Sequence, residues 1–184
     1  MLSTEIKIFL SYLESVKQYS PHTLVSYQRD LEKLSENMKD LGLDDWGSIK
    51  EHDLRTFVNS ERRRGLSPRS IQRLLSSCRS FFEYLMIEGQ IKLSPAQNIS
   101  SPKLSQLLPK AMDADLVQRL LDFKPKGMLE VRDKAMAELL YSSGLRLSEV
   151  CKLDLQDLDV KERTCRVVGK GNKTRIVPVG RKAI

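Results

Sequence analysis

Helical periodicity runs through the first ninety residues and ends at Gly89, after which Pro95, Pro102 and Pro109 follow one another within a short stretch rich in Ser, Lys and Gln. A proline removes a backbone donor and biases the residue before it away from helix, so three of them favour an extended segment. The chain is therefore expected to hold a helical unit at 1–90, an interdomain linker at 91–111 and a second unit at 112–184. Its 184 residues suffice for two small domains.

The first unit is predicted as four helices. Ile6, Phe9, Leu10, Leu13 and Val16 form an apolar stripe, and Leu24, Tyr27, Leu31, Leu34 and Met38 form a second. Ser20-Pro21 and Ser67-Pro68 each place a capping hydroxyl before a proline suited to the first helical turn. A shorter helix at 51–64 carries Leu54, Phe57 and Val58, with Trp46 expected to plug the core ahead of it. The fourth helix buries Ile71, Leu74, Leu75, Cys78, Phe81, Phe82 and Leu85, and its other face presents Arg69, Gln72, Arg73 and Arg79.

That donor-rich face is either a solvated helix surface or a surface for duplex DNA, with Arg reaching phosphates and Gln or Arg reaching base edges. Charge placement bears on the choice. Net charge is +7, and from Arg62 to Lys103 eight cations meet two acids; from Lys161 to Lys182 eight meet only Glu162. Two basic zones suit a polyanion met at two places, and nucleic acid is the leading candidate.

In the second unit, Asp113 caps a helix bearing Leu116, Val117, Leu120 and Leu121. A helix at 129–143 is expected to bury Val131, Ala135, Leu139 and Leu140. Tyr141 reads as its core-facing end. After Gly144 a short helix should turn Leu147, Val150 and Cys151 inward. Thr164–Val168 and Thr174–Val179 then form a hairpin around Gly169-Lys170-Gly171-Asn172-Lys173.

Two cations stand out here. Arg146, in the apolar setting Leu145-Arg146-Leu147, needs a carboxylate or a ligand; Glu149 at i+3 offers an ordinary ion pair, and a phosphate offers the alternative. Lys170 lies between glycines, where it is either an exposed turn residue or a cation that approaches a phosphate and protonates a leaving oxygen. Neither belongs to a P-loop.

Other chemistries lack their residues. Cys78, Cys151 and Cys165 form no C-x-x-C pair, and His22 and His52 are isolated, so no metal ligand set is suggested. There is no apolar run of membrane-spanning length and no secretory n-region in Met1-Leu2-Ser3-Thr4-Glu5, so the expected location is the cytoplasm, with no membrane association.

Together these segments resemble the tyrosine recombinases of the lambda-integrase superfamily, most closely the Xer chromosome-dimer resolvases. The matching residues are Ser20-Pro21-His22-Thr23-Leu24, Tyr27-Gln28-Arg29-Asp30-Leu31, Arg79-Ser80-Phe81-Phe82, Leu108-Pro109-Lys110, Val131-Arg132-Asp133-Lys134-Ala135-Met136, Gly144-Leu145-Arg146-Leu147-Ser148-Glu149 and Gly169-Lys170-Gly171-Asn172-Lys173. Pro178-Val179-Gly180-Arg181 leans toward the C-type rather than the D-type subunit.

The resemblance implies a mainly α chain with a small β-hairpin or sheet: a four-helix SAM-like core-binding domain, then a truncated α+β catalytic domain. The two domains would clamp duplex DNA. Arg146 would stabilise charge on the scissile phosphate, Lys170 would protonate the departing 5′-oxygen, and Arg69, Gln72, Arg73, Arg79, Lys173 and Arg175 are DNA-contact candidates. Cutting and rejoining would pass through a 3′-phosphotyrosine, with no metal or nucleotide cofactor. Partners implied are a D-type subunit in a heterotetramer and a septal DNA translocase, in chromosome-dimer resolution at cell division.

The family's H-x-x-R motif and tyrosine nucleophile have no match here. Tyr12, Tyr19, Tyr27, Tyr84 and Tyr141 all lie in the wrong context. The chain is therefore expected to be the N-terminal part, about 60% of a full-length member, and inactive by itself. A non-catalytic DNA-binding protein derived from a recombinase is the alternative.

Overall fold

A computed structural model describes residues 2–104, 111–169, 171 and 173–184. Lys170 and the Leu108-Pro109-Lys110 motif lie outside the described residues. The chain forms two compact units, Met1–Leu107 and Leu108–Ile184. No described helix is long and apolar enough to cross a membrane.

The first unit contains α1 (Leu2–Ser15), α2 (Pro21–Asp40), α3 (Glu51–Arg63) and α4 (Pro68–Ile87). Ser20 Oγ accepts the Thr23 amide at 3.4 Å, and Ser67 Oγ accepts the Ser70 amide at 3.3 Å. Each cap satisfies an orphan amide and contributes about 1 kcal/mol. Helix α4 packs against α1, α2 and α3 and supplies the centre of the core. Phe81 lies edge-on to Phe9 at 5.3 Å and to Trp46 at 4.7 Å between ring centroids, so Trp46 does plug the core. Val16, expected on the buried stripe, falls just past the end of α1 and is exposed.

Two buried carboxylates tie these helices together. Asp30 of α2, with its side chain 3% exposed, accepts from Arg73 Nη2 of α4 at 3.0 Å. Burial pushes the Asp30 carboxyl above its ordinary range, and the Arg73 charge opposes that shift. Glu61 of α3 accepts from Lys33 of α2 at 3.1 Å and from Arg64 at 2.9 Å. After α4 the described part of the proline-containing segment is irregular and packed: Ala96 and Ile99 are buried in the helical core. Arg79 holds it there by donating to the Ile99 carbonyl and, at 3.2 Å, to Ser101 Oγ.

The second unit contains α5 (Ala114–Leu121), α6 (Met128–Ser143), α7 (Leu147–Val150), β1 (Leu158–Asp159), β2 (Thr164–Val168) and β3 (Thr174–Pro178). The strands form one antiparallel sheet in the order β1-β2-β3, with Cys165 opposite Val177 and Val167 opposite Arg175. Pro178 thus sits on an edge strand of this sheet, where its missing donor is tolerated. Leu139, Leu145, Val150, Cys165, Val167 and Val179 make a small core. Several inward assignments are corrected. Val131, Tyr141, Leu147 and Cys151 are exposed: α6 meets the core through Met136, Leu139 and Leu140, which leaves Val131 short of it and Tyr141 on the other face, and α7 turns Glu149 and Val150 inward instead.

Arg73→Ala is expected to cost the helical unit about 2 kcal/mol, since it strands a buried carboxylate. Adding Asp30→Asn to that variant should recover part of the loss in urea denaturation. Equal losses in the single and double variants would show that the stranded carboxylate is not the source of the cost.

Candidate functional site

The site begins where α6 ends. Gly144 adopts the left-handed conformation at φ 59°, which an L side chain resists and which lets the chain leave the helix sharply. Leu145 is buried in the small core and pins the turn. Arg146 follows as the N-cap of α7 in extended geometry, so its side chain leaves the core while its backbone stays anchored. The guanidinium side chain is 66% exposed.

Glu149, one turn later, is the node of the site, with its side chain 3% exposed. Its Oε2 accepts the Arg146 backbone amide at 2.8 Å, and its Oε1 accepts Arg146 Nη1 at 2.9 Å. Arg175 on β3 approaches with its fork, Nη1 to Oε1 and Nη2 to Oε2, both at 2.8 Å. Four donors therefore saturate one carboxylate. Arg175 first, and then the Arg146 amide, hold the Glu149 carboxyl down at about 2.

The hairpin is shaped around this pair. The Gly169 amide donates to the Lys173 carbonyl at 2.8 Å, closing the turn between β2 and β3. A Cβ added at Gly169 would lie 2.9 Å from Arg175 Nη1 and 3.4 Å from Glu149 Oε1. Gly169 is thus small because the arginine fork passes over it. Gly144, Arg146, Gly169, Lys173, Thr174 and Arg175 line an open concavity of about 430 Å³. Among the described residues its charged lining is Arg146, Lys173 and Arg175, a set that suits an anion.

Of the residues singled out from sequence, Arg146, Lys173 and Arg175 come together at this concavity, and Lys170 lies outside the described residues. Both of the alternatives weighed for Arg146 bear on it: the ion pair with Glu149 is present, and the guanidinium remains largely exposed. Arg69 and Gln72 are exposed on α4. Arg73 and Arg79 are half-buried and hold Asp30 and the Ile99 carbonyl. Arg175 is likewise engaged, with Glu149. Sequence reasoning saw Glu149 only as a local partner of Arg146. Its link to Arg175 needed the hairpin register, which no spacing along the chain reveals.

A pH dependence follows from Glu149. Its folded carboxyl lies at about 2 against an ordinary 4.5, so the unfolded state binds the proton more tightly. The stability this provides is full above about 4.5 and is lost as pH falls toward about 2. Glu149→Gln should flatten the second unit's acid-unfolding profile within that window, followed by circular dichroism; an unchanged profile would contradict the four-donor arrangement.

Comparison with known proteins agrees with this layout. Residues 6–89 match the family described as "Phage integrase, N-terminal SAM-like domain", and residues 110–184 match the "Phage integrase family". A protein named Tyrosine recombinase XerC from Xanthomonas campestris pv. campestris (strain B100) is 45% identical over 179 residues, covering 97% of this chain and 56% of the relative. One of the same name from Pseudomonas aeruginosa (strain LESB58) is 45% identical over 183 residues, covering 99% of this chain and 60% of the relative. The chain thus spans less than two thirds of the length of these curated relatives. Among solved structures, a lambda integrase dimer bound to a COC′ core site is 18% identical with a TM-score of 0.73, covering 96% of this chain and 62% of that one, which is a likeness of fold. With a SAM-like helical unit followed by an integrase-type unit, both matched in order, the chain belongs to the tyrosine recombinases of the phage integrase family.

Proposed function

We propose that this chain is the DNA-clamping part and half of the active site of a site-specific tyrosine recombinase. The observation that carries this reading is Arg146: an exposed guanidinium, anchored by a saturated carboxylate, on the wall of a concavity whose charged lining, among the described residues, is Arg146, Lys173 and Arg175. Such a group, fixed before substrate arrives, stabilises negative charge on phosphorus-bound oxygens without reorganising at the moment of reaction.

In the proposed reaction a tyrosine of the whole recombinase gives its phenolic proton to a general base and attacks the scissile phosphate. A bond forms between its oxygen and phosphorus, the bond to the 5′-oxygen breaks, and Lys170 protonates that oxygen. Arg146 neutralises the charge that builds on the non-bridging oxygens. The energy of the broken ester persists in the 3′-phosphotyrosine link, so rejoining needs no metal or nucleotide. Arg69 and Gln72, exposed on α4, are the helical unit's foremost DNA contacts. By its resemblance to the Xer group, the whole recombinase is proposed to resolve chromosome dimers at cell division in the cytoplasm, with a related D-type subunit in a heterotetramer and a septal translocase as partners.

In the whole recombinase, Arg146→Ala should lower single-turnover strand cleavage by about 10³-fold while duplex affinity changes by no more than about threefold. Unaffected cleavage would remove Arg146 from the chemistry. Lys170→Ala should slow cleavage of a normal substrate and be rescued by a better leaving group than the 5′-hydroxyl. Arg69→Ala should weaken binding and reduce the slope of log affinity against log salt by about 0.9; an unchanged slope would return α4 to an ordinary solvated face.

A further inference from the structure

We propose that Arg175 is a positioning residue that acts through Glu149: it neutralises the carboxylate that anchors Arg146, so that Arg146 is held in place yet keeps its positive charge for a phosphate. This rests on the reading of Arg146 given above.

The geometry sets a problem that Arg175 solves. Glu149 is needed to fix Arg146, through the backbone amide at 2.8 Å and Nη1 at 2.9 Å. A lone carboxylate so close would also cancel the guanidinium charge and weaken its hold on an incoming anion. Arg175 places both Nη atoms on the two carboxylate oxygens at 2.8 Å. The trio then carries one net positive charge, and its most exposed member is Arg146, at 66% against 37% for Arg175 and 3% for Glu149. The surplus charge is presented on the lining of the concavity.

Two further observations point the same way. Arg175 is opposite Val167 in the hairpin, beside the Gly169–Lys173 closure, so the tie joins the hairpin to the entrance of α7. Gly169 is bare where a methyl group would meet Arg175 Nη1 at 2.9 Å. The chain gives up a side chain there, and what fills the space is the fork of Arg175. This role differs from a direct phosphate contact, in which Arg175 would turn its donors outward.

The test is Arg146-resolved ¹⁵N guanidinium NMR of this chain during titration with inorganic phosphate, with amide spectra confirming the fold of each variant. In the wild-type chain the Arg146 signal should shift saturably. Arg175→Gln should weaken that binding about fivefold, because Glu149 then neutralises Arg146 alone. Adding Glu149→Gln to Arg175→Gln should restore affinity to within about twofold of wild type, since the cancelling charge is gone while the amide oxygen left at position 149 still accepts from the Arg146 backbone. Gly169→Ala, which displaces Arg175 without removing it, should weaken binding in the same direction and serves if Arg175→Gln does not fold. Unchanged affinity in Arg175→Gln or in Gly169→Ala overturns the inference. Failure of the double variant to recover also overturns it and favours direct contact of Arg175 with phosphate. No shift at Arg146 in the wild-type chain contradicts the phosphate reading itself, and the inference with it.

Discussion

A single buried carboxylate organises the second unit of this chain. Glu149 accepts four hydrogen bonds from two arginines that lie 29 positions apart in sequence. Burying a carboxylate costs more than any one exposed ion pair returns, so a single arginine would leave it under-compensated. That mutual dependence joins the turn after α6 to the hairpin. Two glycines serve the arginine pair: Gly144 makes the turn before Arg146, and Gly169 makes room for the Arg175 fork.

The helical unit uses the same device for a different end. Asp30 and Glu61 are buried and each draws a cation from a neighbouring helix, so Arg73 and Lys33 are spent partly on holding α2, α3 and α4 in register. Arg79 is spent on fastening the segment after α4 through the Ile99 carbonyl and Ser101. The basic stretch from Arg62 to Lys103 is therefore less available to a polyanion than its charge suggests. The uncommitted donors that remain outward on α4 are Arg69 and Gln72, in its first turn and a half.

Much of this was legible in the chain itself. Helices α1 to α4 were foreseen because each stripe repeats at steps of three and four and Ser-Pro starts mark two of the entrances. The hairpin followed from two β-rich runs around a glycine-containing turn. The exposed faces of α6 and α7 were not legible. Val131, Tyr141 and Leu147 have the composition of core residues, and only the placement of the small core of Leu139, Val150 and Val167 decides that they face outward. The partners of Arg73, Arg79 and Arg175 were hidden for a related reason. Spacing along a helix or strand tells which residues share a face, but a contact between elements distant in sequence depends on how they pack.

The site's central requirement is a Glu149 carboxylate that stays ionised because two arginines hold it. Carboxyl-resolved ¹³C NMR of Glu149 across an acid titration measures that directly. A titration midpoint near about 2 is the result expected for the four-donor node. A midpoint at the ordinary 4.5 would mean that Arg146 and Arg175 do not share this carboxylate in solution.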